Sequence, residues 1–291
     1  MIDKRTITCT NEDNISVIFG RSFSPFVLTD VDGIYGVEND VNTSANTMTD
    51  GSTYQGTTVK MRNIVLTMHD KDDHQTNRDL LYNLFKPKSY GTLTYKEGTV
   101  EREIKYQVEE IQIEQGRSAK ATVSLLCPDP FFTGLNDIVV SMAAWSAEFE
   151  WIHEFVDGGE EFGKRMDSRL ETIDNRAAAD NIGITIMINA NGAVKNPSVT
   201  HVENNQHITL GTTAVPFNMI FGDQVTITTE TNNKHVYLER GGVKTEINEY
   251  LTEDSEFIQL MHGKNSIGYA ADEGVDYMTV SIKFRYRYLG V

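Results

Sequence analysis

Cysteine is scarce in this chain of 291 residues: Cys9 and Cys127 are the two present. Two isolated cysteines build neither a zinc site nor a disulfide scaffold. The expectation is a pair of buried thiols made in a reducing compartment. Long apolar runs are also missing. No stretch approaches the roughly 18 residues of a membrane helix, and Met1-Ile2-Asp3-Lys4-Arg5-Thr6 has no apolar core of a secretory signal. Basic residues are few, 26 against 42 acids, for a net charge of −16 and a pI near 4.8. Gripping DNA needs clustered Lys and Arg, so a nucleic-acid-binding role is disfavoured, as is attraction to anionic membranes. What remains, 39% hydrophobic and 23% charged residues, is a globular composition. The length suggests two domains at roughly 150 residues each.

Short strands dominate the pattern. Thr6 to Thr10 and Ile15 to Phe19 flank a polar Asn11-Glu12-Asp13-Asn14 turn, a hairpin signal. Val27 to Tyr35 reads as a strand with a turn at Asp32-Gly33. Val37 to Gly56 is mostly Asn, Thr, Ser, Asp and Gly and reads as a long functional loop. Strand character returns from Thr57 to His69. One helix follows, with a cap at Asp72 or Asp73, a stripe of Leu80, Leu81, Leu84 and Phe85, and a stop at Pro87. Gly91 to Tyr95 and Thr99 onward form a hairpin about Glu97-Gly98. In the second strand Val100, Ile104, Tyr106 and Val108 are even-numbered and Ile111 and Ile113 odd, which places a bulge near Glu109-Glu110. Thr122 to Leu126 is a strand stopped by Cys127-Pro128-Asp129-Pro130. The domain boundary falls just after Phe132, giving domains of 1–135 and 136–291.

The second half is almost purely β. Ile182, Ile184, Ile186 and Ile188 alternate with other residues, Val225 and Ile227 with threonines, and Val236 and Leu238 lead to a turn at Gly241-Gly242. Met278, Val280, Ile282, Phe284, Tyr286 and Tyr288 share one face of a closing strand. Such alternation marks antiparallel sheets with one buried face, arranged as a β-sandwich. Asp157 to Asp180 reads as loop or short helix. Charge is uneven: residues 1–135 carry −5 and residues 136–291 carry −11.

Chemistry-bearing motifs are sparse. His69-Asp70-Lys71-Asp72-Asp73-His74 is the densest set of metal-ligating side chains. Its spacing matches neither a zinc helix nor a calcium loop, and helix capping accounts for the carboxylates. There is no GxSxG, no GxGxxG and no phosphate loop. The expectation is therefore no catalytic residue, no metal and no cofactor. Trp145 and Trp151 are the two tryptophans; exposed, they would stack on sugar rings, and buried, they are core.

Several segments resemble, in order, the distal tail protein family of siphophage and prophage tails. Tyr54-Gln55-Gly56-Thr57-Thr58-Val59-Lys60-Met61-Arg62-Asn63-Ile64 is similar to its "G…R.I" strand. Arg78, Leu81, Leu84 and Phe85 fit "R..LY.LF.P", and Gly91-Thr92-Leu93-Thr94-Tyr95 fits "G.L.Y". Cys127-Pro128-Asp129-Pro130-Phe131-Phe132 is similar to the "CPDPFF" end of its first domain. Val194-Lys195-Asn196-Pro197, Phe221-Gly222-Asp223-Gln224-Val225-Thr226-Ile227, Gly263-Lys264-Asn265-Ser266-Ile267 and Tyr286-Arg287-Tyr288-Leu289-Gly290 resemble the second-domain "NP.I", "GD.I.I", "G.N.I" and "Y..RYLG". Ile173 to Asp180 is more Ala-rich than the family's pattern, and nothing matches the sugar-binding cluster of true galectins.

The resemblance implies a mainly β chain. A tail-tube-like β-sandwich with one α-helix forms the first domain, and a galectin-like or carbohydrate-binding-module-like sandwich the second. It implies a hexameric ring at the tail tip or baseplate of a virion. The ring would join the tail tube protein to the tail-associated protein and other baseplate proteins, pass DNA without binding it, and be made in the host cytoplasm. The competing reading is a carbohydrate-binding adhesion module using Trp145 or Trp151. On the first reading Val37 to Gly56, with Asn42, Met48 and Tyr54, is an arm that reaches the neighbouring subunit. Glu101, Glu103, Glu109, Glu110 and Glu114 are the acids expected to keep the DNA path weakly repulsive.

Overall fold

The computed structural model describes residues 5–21, 25–48, 50–70, 74–114, 120–142, 144–147, 163–166, 169–177 and 181–291. The chain divides into two compact units, Met1–Leu135 with Arg287–Val291, and Asn136–Tyr286. The second domain of the sequence reading ran to Val291. Its last five residues instead belong to the first unit, because strand pairing and two arginines hold them there, as described below.

The first unit is built from β1 (Thr6–Asn11), β2 (Ser16–Gly20), β3 (Phe26–Asp32), β4 (Asn39–Ala45), β5 (Ser52–Val59), β6 (Arg62–Asp70), α1 (His74–Leu84), β7 (Tyr90–Glu97), β8 (Val100–Ile113), β9 (Lys120–Cys127) and β10 (Phe132–Gly134). The main sheet runs β10-β8-β7-β1-β2-β3-β6-β9, and β9 pairs again with β8. The expected sandwich is thus closed into a barrel through β8 and β9, which pairs the edge that β9 would otherwise leave open. Alternate residues face inward: Ile7 and Cys9 from β1, Ile64, Leu66 and Met68 from β6, Leu93 and Tyr95 from β7, Val123 and Leu125 from β9. Leu81, Leu84 and Phe85 of the helix stripe join that core, where Phe85 meets the rings of Phe19 and Tyr106. The proposed caps Asp72 and Asp73 lie outside the described residues.

Local signals explain the turns. Asn11 closes the β1–β2 hairpin through its side-chain oxygen, which accepts from the N–H groups of Asp13 and Ile15. Its amide donates to the carbonyls of Asn83 and Leu84 at the helix end. Gly33 has φ of +80°, and a Cβ there would sit 1.9 Å from the Asn63 carbonyl oxygen, so only glycine fits. The phase flip in β8 is a bulge: Val108 faces Leu125 and Glu110 faces Ser124, leaving Glu109 as the extra residue. Glu109 points outward, where Asn63 and Ser124 donate to its carboxylate.

Two expectations are corrected. Val37 to Gly56 is not a loop. Most of it forms a hairpin, β4 against β5, paired with no other strand among the described residues. Its residues are exposed almost throughout, so no buried face imposed the apolar alternation by which a strand is read. Within Asp157 to Asp180, the described residues include two strands, Gly163–Met166 and Leu170–Asn175. The second pairs with Gly263–Gly268 at a sheet edge, where little apolar burial is needed and the sequence signal is weak.

The second unit holds two larger antiparallel sheets. One orders Ile138–Ser141, Met278–Phe284, Thr185–Ala190, Gln224–Glu230, Asn233–Arg240 and Val243–Glu246; the other orders Leu170–Asn175, Gly263–Glu273, Val194–His201 and Gln206–Thr209. Alternate residues are buried, among them Ile186, Ile188, Val225, Ile227, Val280 and Ile282 in one, and Val199, Ile208 and Ile267 in the other. The long isoleucine run is one buried series but two strands. The Thr229 hydroxyl accepts from the Ile184 N–H and bonds its carbonyl, so Ile182–Gly183 pairs with Gln259–Leu260 and Thr185–Ala190 enters the larger sheet. Gly241 and Gly242 both have positive φ, as a two-residue hairpin turn requires. The closing strand ends at Phe284 rather than at Tyr288.

Candidate functional site

The β4–β5 hairpin has a sidedness that its composition hides. Register partners share a face, and faces alternate along each strand. Val41 faces Thr57, Thr43 faces Tyr54, Asn39 faces Val59 and Ala45 faces Ser52. One face therefore carries Val41, Tyr54, Val59 and Ala45 with Asn39, Thr43, Thr57 and Ser52. The other carries Asp40, Asn42, Ser44, Thr53 and Thr58. The register shifts after Asn42, and Gln55 at that irregularity donates to Ser44 on the polar side. Tyr54 donates to Thr57 across its own face. Val41 is 55% exposed, Tyr54 64% and Met48, near the tip, 98%. The base is closed by the Lys60 N–H on the Glu38 carbonyl, with Tyr35 and Met61 exposed beside it. Of the residues expected to mark an arm, Met48 and Tyr54 are exposed apolar groups and Asn42 lies on the polar face.

A second constellation lies at the foot of this arm. Arg62 begins β6 and is 6% exposed. Its Nε donates to Pro130 O at 3.0 Å, and Nη1 reaches the carbonyls of Gly33, Ile34 and Gly36 at 2.7–2.8 Å. Nη2 donates to Leu289 O, and the guanidinium lies 5.1 Å from the Phe132 ring centroid. Among the described residues no carboxylate pairs with it. Carbonyl dipoles satisfy the buried cation instead, and burial lowers its pKa from the ordinary guanidinium value. Arg102 donates to Gly290 O and stacks 3.7 Å over the Tyr288 ring. Arg287 pairs with Asp129 and stacks 4.3 Å over Phe131.

Residues 18–127 match the model of a phage tail protein RIFT-related domain, and residues 178–288 match that of a siphovirus-type tail component, C-terminal domain. Together the two models span well over half of the chain. The chain belongs to the siphophage distal tail protein family. It is a phage tail component. No curated protein sequence matches it. The fold is similar to the crystal structure of the Dit protein (gp 19.1) of phage SPP1, with a TM-score of 0.71 and 12% identity over 97% of this chain and 99% of that one. It is also similar to a chain of the phage p2 baseplate in its activated conformation. With strontium the TM-score is 0.54 at 10% identity, and with calcium 0.53 at 10%, each over 99% of both chains.

The family motifs acquire physical meanings. The "R.I" arginine, the "CPDPFF" turn and the terminal "RYLG" converge on one node although they are far apart in sequence. Cys127 is buried there, its thiol pushed up to about 12 by burial. Cys9 is a buried free thiol too, its pKa raised by burial. In the second unit, Asp223 of "GD.I.I" is bound by Arg240 and by the Ile220 N–H. Desolvation opposes its ionisation, but those donors outweigh it and hold the carboxyl below the usual range. Asn265 of "G.N.I" is fully buried, donating to the carbonyls of Met261 and Gly263 and accepting from the Met261 N–H. Asn196 of "NP.I" donates to Asp272 and accepts from the Phe217 N–H. These polar residues staple turns.

The other candidates do not come together. Asp72 and Asp73 of the His69–His74 run lie outside the described residues, as does the His74 side chain. Among the described residues no group of three or more His, Cys, Asp or Glu could hold a metal. Trp151 lies outside the described residues; Trp145 is on the strand Ala144–Ala147, whose side chains are not described. Sequence reasoning missed Arg102, Asp129 and Arg287 as partners, because their convergence depends on chain return rather than on spacing.

One buried group sets a pH dependence. His201 is fully buried, with Glu203 Oε2 at 3.3 Å from its Nε2. Burial holds its pKa below the ordinary 6.5, although Glu203 pulls the other way. The unfolded chain therefore binds more protons than the folded one in this window. The stabilisation is present above pH 6.5 and is lost as pH falls below it, with a slope no steeper than the one-proton limit of about 1.4 kcal/mol per pH unit. Urea unfolding between pH 7 and 5 should show this slope for the second unit, and His201→Gln should flatten it. An unchanged slope in the variant would assign the acid sensitivity elsewhere.

Proposed function

We propose that the first unit assembles into a six-membered ring, a hub joining the tail tube to the tail-associated protein and the rest of the baseplate. The arm carries this reading. It projects a face on which Val41, Tyr54 and Ala45 are exposed and Val59 is half-buried. A closed ring needs a heterologous contact, in which an element of one copy meets a different surface of the next. The described hub role of the SPP1 protein, whose fold this chain shares, supports the same assignment. The ring acts at the tip of the virion tail after synthesis in the host cytoplasm, and it has no catalytic activity and no cofactor.

DNA passes through the ring without being held. With −16 per chain, six copies carry a large negative charge, attenuated beyond a Debye length of about 8–10 Å. Phosphate contacts would instead impose steep, salt-sensitive retention. Glu101, Lys105, Glu109 and Glu110 are exposed on β8, a mixed but net acidic surface.

Light scattering and electron-microscope images of the purified protein should show a six-fold ring. Strict monomers or another symmetry would overturn the proposal. Filter binding of the ring to duplex DNA at low ionic strength should show no submicromolar affinity. Tight binding that fades with salt would refute the repulsive path while leaving the ring intact.

A further inference from the structure

The chain leaves the barrel through β10 and comes back on the strand that pairs with it. Phe132 faces Tyr288 and Thr133 faces Arg287, antiparallel. Everything between, Asn136–Tyr286, is the second unit. The returning strand is only Arg287–Tyr288, so its ladder alone is a small hold. Most of the grip comes from barrel side chains on the tail. Arg62 and Arg102 bond the successive carbonyls of Leu289 and Gly290. Asp129 and the Phe131 ring take the Arg287 guanidinium. Arg102 covers the Tyr288 ring. Tyr288 and Val291 pack against the barrel core. Main-chain groups supply affinity, and two side-chain subsites supply specificity, which is how extended peptides are recognised.

We infer that the barrel carries a peptide-binding site for the chain's own Arg-Tyr-Leu-Gly-Val segment at 287–291, and that the second unit is an insert carried between two neighbouring strands. Two physical points favour a docked peptide over an inseparable strand. First, the contacts named above are all made by residues 287–291. Second, the site is costly to leave empty, because Arg62 is buried and Leu289 O is the acceptor of its Nη2, so removing the tail takes an acceptor from a buried cation. The insert is then an exchangeable module: any domain that enters after Gly134 and is followed by Arg-Tyr-Leu-Gly-Val would close the same barrel. This reading is independent of the six-membered ring.

The test uses the full chain with a protease recognition sequence inserted between Tyr286 and Arg287. The protein is folded, cut, and freed of the released tail by gel filtration. Cutting and removal should lower the barrel's melting midpoint by at least about 5 °C. A synthetic Arg-Tyr-Leu-Gly-Val peptide should restore it in a concentration-dependent way, as mass action requires, and a scrambled peptide should not. A fluorophore-labelled peptide should bind the cut protein and be excluded from the uncut one, whose site is filled. Asp129→Ala should weaken that binding at least fivefold. Asp137→Ala, which removes a partner of Arg285 outside the site, should leave it unchanged. Equal binding to cut and uncut protein, no binding to either, or a melting midpoint unmoved by the cut would each overturn the inference. So would a tail that stays bound through gel filtration and cannot be displaced by excess peptide, since it would then be an inseparable strand.

Discussion

Arg62→Ala should destabilise the barrel by at least about 4 kcal/mol, the largest single-residue effect expected in this protein. The guanidinium serves carbonyls from five residues: Gly33, Ile34, Gly36, Pro130 and Leu289. Each buried acceptor left without a donor costs about 1–3 kcal/mol, although water entering the vacated volume returns part of that. The loss also frees the entry to the arm after Ile34, the turn at Pro130 and the closing tail at once, so the penalties act as a unit. Arg62→Lys keeps the charge but not the planar fork, and a single ammonium cannot span acceptors on three segments. It should recover less than half of the stability. Thermal and urea unfolding check both variants. An Arg62→Ala protein melting within about 2 °C of the parent would show that the node is dispensable.

The second large effect is on assembly rather than stability. Val41→Asp combined with Tyr54→Asp places two charges on the apolar face of the arm. Burying them unpaired at a subunit contact costs several kcal/mol, so the double variant should lose the ring, with association weakened at least 100-fold. Asn42→Asp with Ser44→Asp adds the same charge to the polar face and should assemble far better. Deleting Asn42 to Gly51 should likewise abolish the ring. None of these changes touches the barrel core, so the melting midpoint should stay within about 2 °C. Light scattering and calorimetry separate the two readouts. Rings that form unchanged after the deletion would remove the arm from the interface, and equal effects from the two faces would remove its sidedness.

Much of the architecture is legible in the residues because burial imposes a period. Leu81, Leu84 and Phe85 at helical spacing mark the helix. The even-to-odd shift between Val108 and Ile111 marks a bulge with Glu109 as its extra residue. The alternation from Met278 to Phe284 marks a strand with one buried face. The order of short motifs marks the family, and the two matched models agree with it. Where burial does not act, the pattern is silent. The arm is a strand pair without a buried face, so its threonines and asparagines looked like loop.

By itself, the sequence determined a mainly β chain of two units, the helix and most turns, because side-chain periodicity and turn chemistry are local properties. Its net charge also disfavours a protein that grips DNA, since charge needs no fold to be counted. Only the tertiary structure decided three things. The first sheet closes through β8 and β9 into a barrel, and the arm sorts Val41 and Tyr54 to one side through its register. The last five residues return to the first unit, where Arg62 and Arg102 hold their carbonyls. Each of these depends on which distant strands pair and in what register, and periodicity along one segment carries no information about its partner.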